Sequence, residues 1–131
     1  MDLLLDTHTL IWYNENESLL SSEISSLIND LDNEIFVSIT SFYEIAIKIN
    51  IGKLKTGKSF TGFYKKTLDN NISILPIKET HLSRYIGLPL FEQHRDPFDR
   101  MIVATAIEEN LTIATTDNKF NLYRNIVPVI W

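Results

Sequence analysis

The spacing of apolar residues changes period several times along the chain, and each change predicts a new element. Asp2–Leu5 is a short apolar run closed by Asp6, which predicts a buried strand. Thr7–Tyr13 reads as a short helix or helical turn. Ser21–Asp32 sets Ile24, Leu27, Ile28 and Leu31 on one face of a helix, and Glu34–Ile39 is a second strand rich in β-branched residues. Ser41 then caps a helix running to about Ile51, with Glu44 completing an S-x-x-E capping box and Gly52 ending it. Ser59–Asn70 is a helix with Phe60, Phe63, Tyr64 and Leu68 on its apolar side. Ile72–Ile77 is a third strand, and Thr80–Ile86 a short helix closed by Gly87 and Pro89. Asp96-Pro97 opens another helix, with Asp as the cap and Pro at the first helical position. That helix carries Ile102, Val103, Ala106 and Ile107 and ends near Asn110; Leu111–Thr115 and Val127–Ile130 are the last two strands.

Strands alternate with helices almost throughout. This order predicts an α/β fold, a central, mostly parallel sheet flanked by helices on both faces, in a single domain over residues 1–131. The chain has 131 residues, 44% of them hydrophobic, enough for a real core. It has no cysteine, which removes disulfides, thiolate zinc sites, Fe–S clusters and cysteine nucleophiles, and fits a reducing, cytoplasmic setting. No glycine-rich phosphate cradle occurs among its four glycines, and no HExxH or G-x-S-x-G pattern is present. No apolar run is long enough to span a membrane, and the N-terminus lacks the basic segment of a signal peptide.

The formal net charge is -5, but the charges are segregated. Residues 1–34 contain eight acids and no Lys or Arg; residues 48–66 contain six lysines and no acid. An acidic protein can therefore still present a local positive field, and Lys48, Lys53, Lys55 and Lys58 are candidates for contact with a nucleic-acid backbone. A solvated surface with clustered charges is the alternative.

Open α/β sheets bind ligands beyond the carboxyl ends of their strands. Asp6 follows the first predicted strand, and Asp117 lies just past the fourth. Glu44 and Asp99 lie in the first turns of helices expected to begin at the same edge. Four carboxylates brought together repel unless protons or cations neutralise them. An all-oxygen donor set suits Mg²⁺ or Mn²⁺, the cations of phosphodiester hydrolysis. Each acid also has a structural explanation: Asp6 and Asp117 as turn residues, Glu44 in a capping box, Asp96 and Asp99 as a cap pair.

Four segments in order resemble the PIN-domain ribonucleases, specifically the VapC-like toxins of bacterial type II toxin–antitoxin pairs. They are Leu3-Leu4-Leu5-Asp6-Thr7-His8, Ser38-Ile39-Thr40-Ser41-Phe42-Tyr43-Glu44, His94-Arg95-Asp96-Pro97-Phe98-Asp99-Arg100 and Thr115-Thr116-Asp117. The resemblance implies a PIN fold and one or two Mg²⁺ or Mn²⁺ ions held by Asp6, Glu44, Asp99 and Asp117. Lys119 stands where relatives often carry a further acid, which leaves the number of ions open. It also implies endonucleolytic RNA cleavage, a homodimer and a small antitoxin partner. Glu44 then binds the ion through water or orients the attacking water. Thr7 and Thr116 hydrogen-bond carboxylates or phosphate, Arg100 contacts the substrate backbone or pairs with a carboxylate, and His8 and Asp96 stand behind the acids. Trp12, Tyr13, Phe42, Tyr43, Phe60, Phe63 and Tyr64 are more aromatics than one small core needs; some are expected to line a dimer or antitoxin surface, and an all-core set is the alternative.

Two other readings compete. Another Mg-dependent phosphoryl-transfer α/β domain fits poorly: a haloacid-dehalogenase-type phosphatase wants D-x-D where Asp6 is followed by Thr7-His8, and a receiver wants an acidic pair in its first loop. A catalytically silent PIN-like module that only binds a partner is opposed by the filled set of four acids.

Overall fold

The computed structural model describes residues 1–131. Five strands form one wholly parallel sheet, β1 (Asp2–Leu5), β2 (Glu34–Ser38), β3 (Ile72–Leu75), β4 (Thr112–Ala114) and β5 (Val129–Ile130), in the order β3-β2-β1-β4-β5. The chain builds outward from β1 to β3 and then crosses back to place β4 on the other side of β1. The strand order therefore reverses between β1 and β4, where a parallel sheet opens its binding crevice. The register sets Leu5 beside Ala114 there, and the Asp6 N–H donates to the Ala114 carbonyl at 3.2 Å.

Side-chain alternation along β1 divides the core in two. Leu3 and Leu5 face a layer containing Leu10, Ile24, Phe42, Ile45 and Phe63. These come from α1 (Thr7–Glu15), α2 (Ser22–Asn29), α3 (Ile39–Asn50) and α4 (Phe60–Asp69). Leu4 faces the opposite layer, with Ile102, Val103, Ala106 and Phe120. That layer is built by α6 (Pro97–Glu109), against which α5 (Glu79–Ile86) packs, and by a 3₁₀ segment at Asn118–Tyr123. Helices thus cover both faces, which explains why β1 is apolar at consecutive positions and not at alternate ones. No helix is long and apolar enough to cross a membrane.

Three local expectations need correction. The cap of α3 is Ser38, whose hydroxyl accepts from the Thr40 N–H at 3.0 Å, so Ser41 and Glu44 lie inside the helix and form no capping box. The β2 strand ends at Ser38 and the chain turns at once, which starts α3 earlier than the Ser41–Glu44 spacing suggests. Leu31 lies beyond the end of α2 and is 88% exposed, so it is not on that helix's core face. Phe42 and Phe63 are core residues and drop out of the aromatics offered for an interface; of the other five, Tyr43 and Phe60 are exposed and Trp12, Tyr13 and Tyr64 half-buried.

Candidate active site at the carboxyl edge of the sheet

Asp6 leaves β1 at the strand-order reversal and caps α1. Its Oδ1 accepts from the Thr9 N–H at 2.8 Å, and its Oδ2 accepts from the Thr115 hydroxyl at 2.6 Å. Burial raises its pKa, and these donors only partly offset that. His8, exposed and edge-on to Trp12, lies near enough for its charge to favour the Asp6 carboxylate.

The Glu44 side chain comes from the second turn of α3 and is buried with that of Thr7. Thr7 Oγ1 lies 2.7 Å from Glu44 Oε1 and 3.0 Å from Ser41 Oγ. A hydroxyl has one proton, so Thr7 gives it to the carboxylate and the Ser41 hydroxyl donates to Thr7. The other Glu44 oxygen meets Lys48 Nζ at 3.2 Å, one helical turn on. Lys48 is therefore tied to an acid of the site and does not join the open lysine loop.

Asp99 projects from the first turn of α6, whose cap is Asp96; Asp96 accepts from the N–H groups of Phe98 and Asp99. The His94 ring bridges Asp99 to the interior, with Nε2 at 3.2 Å from Asp99 Oδ2 and Nδ1 at 2.8 Å from the Tyr123 hydroxyl. Arg100 Nη1 donates to that hydroxyl at 3.0 Å and to the Pro89 carbonyl at 2.8 Å. The tautomer follows: Tyr123 accepts from Arg100 and donates to His94 Nδ1, leaving Nε2–H for Asp99. Burial lowers the His94 pKa, consistent with a neutral ring. Arg100 reaches no carboxylate: it is buried and acts through Tyr123, not as an exposed backbone contact.

Asp117 caps the 3₁₀ segment after β4 and accepts from the Lys119 N–H, while its own N–H donates to Thr115. Thr116 is exposed; the threonine that holds Asp6 is its neighbour Thr115.

Electrostatics couples these groups. The Asp99 pKa is pushed up to about 8, first by burial and then by the charges of Asp96, Glu44, Asp6 and Asp117. The four predicted acids and Asp96 therefore share one field at one edge. No three His, Asp or Glu side chains are disposed to hold a metal ion together. Three of the acids have protein partners of their own: Thr9 and Thr115 for Asp6, Thr7 and Lys48 for Glu44, and His94 for Asp99. The donor chemistry nevertheless suits a hard cation, since the set is all oxygen and its mutual repulsion is what a positive ion relieves.

The exposed Lys53, Lys55 and Lys58 lie on the 51–59 loop between α3 and α4 and form no ion pair. Sequence reasoning missed Thr115, Thr9, Ser41 and Tyr123. Thr115 carried a signal in its place at the end of a strand beside the Asp6 strand, but choosing it over Thr116 needed the β1–β4 register. Tyr123 carried none.

The PIN-domain family profile matches residues 3–125, and the chain belongs to the PIN-domain family. Ribonuclease VapC22 from Mycobacterium tuberculosis (strain ATCC 25618 / H37Rv) is 27% identical over 130 residues, spanning 98% of each chain. The fold matches VapBC2 from Rickettsia felis bound to a promoter DNA fragment, with a TM-score of 0.67 at 20% identity over 99% of this chain and 98% of that one. It also matches FitAcB from Neisseria gonorrhoeae, with a TM-score of 0.64 at 22% identity over 98% and 96%.

Proposed function

We propose that this PIN domain is a Mg²⁺- or Mn²⁺-dependent endoribonuclease and the toxin of a toxin–antitoxin pair. The observation that carries the reading is the group of carboxylates at the strand-order reversal: Asp99, pushed up to about 8 by its burial and then by the charges of Asp96, Glu44, Asp6 and Asp117, sits among them. A fold needs no such concentration of acids for stability; a site for a cation and a phosphodiester does. Asp6, Glu44, Asp99 and Asp117 would hold the ion. When bound, such an ion lowers the pKa of water and offsets charge developing on a phosphoryl oxygen.

The protein's part is orientation. Thr9 and Thr115 fix the Asp6 carboxylate, and Thr7, itself held by Ser41, fixes that of Glu44. The Arg100–Tyr123–His94 chain fixes Asp99. Lys48 balances Glu44 on the side away from Thr7, and the lysines of the 51–59 loop attract the RNA backbone. The likeness to VapC22 and to VapBC2 supports the toxin assignment and a small antitoxin partner; a homodimer is our expectation from the family resemblance.

Calorimetric Mn²⁺ titration, run beside cleavage of single-stranded RNA with and without chelator, tests the activity. Saturable Mn²⁺ binding and chelator-sensitive cleavage are expected; intact RNA in the presence of bound Mn²⁺ would leave a silent binding module. Light scattering should report twice the chain mass, and a monomer at high concentration would remove the homodimer.

A further inference from the structure

A cavity of about 430 Å³, with His94 in its wall, lies between α5, the Phe91–His94 turn and α6. This is within the range of small-ligand sites, roughly 300–1,000 Å³. Tyr85 and Phe91 supply its aromatic walls, Arg100 and His94 its deep side, and Glu92 and Arg95, both exposed, its mouth. His94 also touches Asp99, so a ligand in contact with the His94 ring is one imidazole away from that carboxyl.

Three features say what this cavity suits. Arg100 is only 5% exposed and pairs with no acid, yet both of its protein hydrogen bonds leave from Nη1. The sealed side-chain atoms that lack a partner are Asn14 Oδ1 and Thr40 Oγ1, so the free Nε and Nη2 donors of Arg100 are not sealed in protein and open toward the cavity it lines. Tyr85 lies under the guanidinium, 5.3 Å from ring centroid to Cζ, and holds the fork flat. Glu92, at the tip of the turn, has no hydrogen bond or ion pair and offers two acceptor oxygens at the mouth.

The cavity thus presents flat aromatic walls, a fork of donors at one end and a carboxylate at the other. A guanine base is the complement: O6 and N7 accept from an arginine fork, and N1–H and the N2 amine donate to a carboxylate. Adenine sets an amine donor where guanine has O6, and pyrimidines lack the N7 edge. We propose that this cavity is a guanine-binding subsite that selects the RNA bases beside the cleaved bond. The assignment to RNA rests on the nuclease reading above; the guanine preference rests on the cavity alone.

The test begins with binding and needs neither metal nor turnover. Guanosine, adenosine, cytidine and uridine 5′-monophosphates are titrated into metal-free protein and followed by calorimetry and by backbone-amide NMR shifts. GMP should bind about tenfold or more tighter than the others, shifting the amides of residues 91–95. Glu92→Gln, a change at an exposed turn, should abolish that preference while leaving the fold and Mn²⁺ binding intact. Arg100 also supports the fold, so its role is tested from the ligand side: 7-deaza-GMP lacks N7 and should bind several-fold more weakly than GMP. Equal binding of all four nucleotides, or shifts confined to the carboxylates, overturns the subsite. RNA cleavage blind to guanine, with no GMP preference, overturns the subsite and leaves the nuclease standing. GMP selectivity without cleavage of any RNA upholds the guanine site and overturns the nuclease.

Discussion

Helix α6 carries a histidine–carboxylate contact at each end, and the two behave in opposite ways. Near its C-terminus Glu109 meets the fully buried His81 at 2.8 Å and Lys78 at 2.9 Å, and its pKa is lowered, chiefly by the hydrogen bonds from Lys78 and His81. Near its N-terminus Asp99 meets the buried His94 at 3.2 Å, and its pKa rises to about 8. The helix dipole favours the reverse, since it stabilises negative charge at the N-terminus and destabilises it at the C-terminus. Neighbours decide the matter. Glu109 has a lysine beside it; Asp99 is buried and sees Asp96, Glu44, Asp6 and Asp117. One pairing closes the α5–α6 pair with a charged carboxylate, and the other leaves a carboxyl that holds its proton up to about pH 8.

The sharpest break in that comparison comes from Asp6→Asn. Asn keeps the volume and can still accept from Thr9, so circular dichroism should not change. Removing a ligand charge should cut RNA cleavage by orders of magnitude and weaken Mn²⁺ binding in calorimetry. Stability in metal-free buffer should stay level or rise, because a buried carboxylate is gone. Parent-like Mn²⁺ binding and cleavage would reduce Asp6 to a helix cap.

Charge removal at the two ends of α6 should then shift stability in opposite directions. The folded chain holds a proton on Asp99 up to about pH 8, whereas an unfolded Asp releases it near 3.8. Folded protein thus binds more protons across that window, and the parent loses stability as pH rises through it. Asp99→Asn should remove this loss, gaining on the order of 1–3 kcal/mol at pH 8 and little at pH 4 in metal-free denaturant titrations. Glu109→Gln should cost about 1 kcal/mol at neutral pH, because the lowered folded pKa marks charge that stabilises the fold. That cost should fade as pH drops through the folded pKa and the parent's Glu109 is itself protonated. Destabilisation by both substitutions at pH 8 would erase the contrast.

The layout was readable where local physics sets it. The consecutive leucines of β1, the Asp96-Pro97 cap and the strand–helix alternation each follow from neighbouring residues, and together they place the four acids at one edge. What tertiary structure sets was not readable. Ser41-x-x-Glu44 has capping-box spacing, but α3 starts at the end of β2, and both residues serve Thr7 instead. The choice of Thr115 over Thr116 depends on the register of β4 against β1. The link from Arg100 through Tyr123 to His94 joins positions far apart in the chain, and no spacing rule announces it.

Thr115→Val tests that hidden layer. It keeps the side-chain shape and removes the donor to Asp6 Oδ2, so Asp6 becomes harder to ionise. Cleavage should fall about tenfold at neutral pH and recover in part as pH is raised, as a shifted pH–rate profile will show. A uniform loss at all pH values would mean that Thr115 only packs.

The smallest effect separates the acidic edge from the lysine loop. Lys53 and Lys55 are exposed, without ion pairs, and on a different element from every acid of the site. Replacing both with alanine should leave Mn²⁺ affinity, the Asp99-dependent stability profile and the guanine preference unchanged. RNA binding should weaken modestly, and the slope of log K against log salt should become shallower by about 1–2, because each phosphate without its lysine keeps roughly one counterion or slightly less. The decisive comparison is RNA binding of parent and double variant at two salt concentrations, because nonspecific unfolding lowers affinity without a matched change in slope. An unchanged slope would mean that RNA reaches the acids over another surface, leaving the carboxylate edge as the part of the site that the fold itself defines.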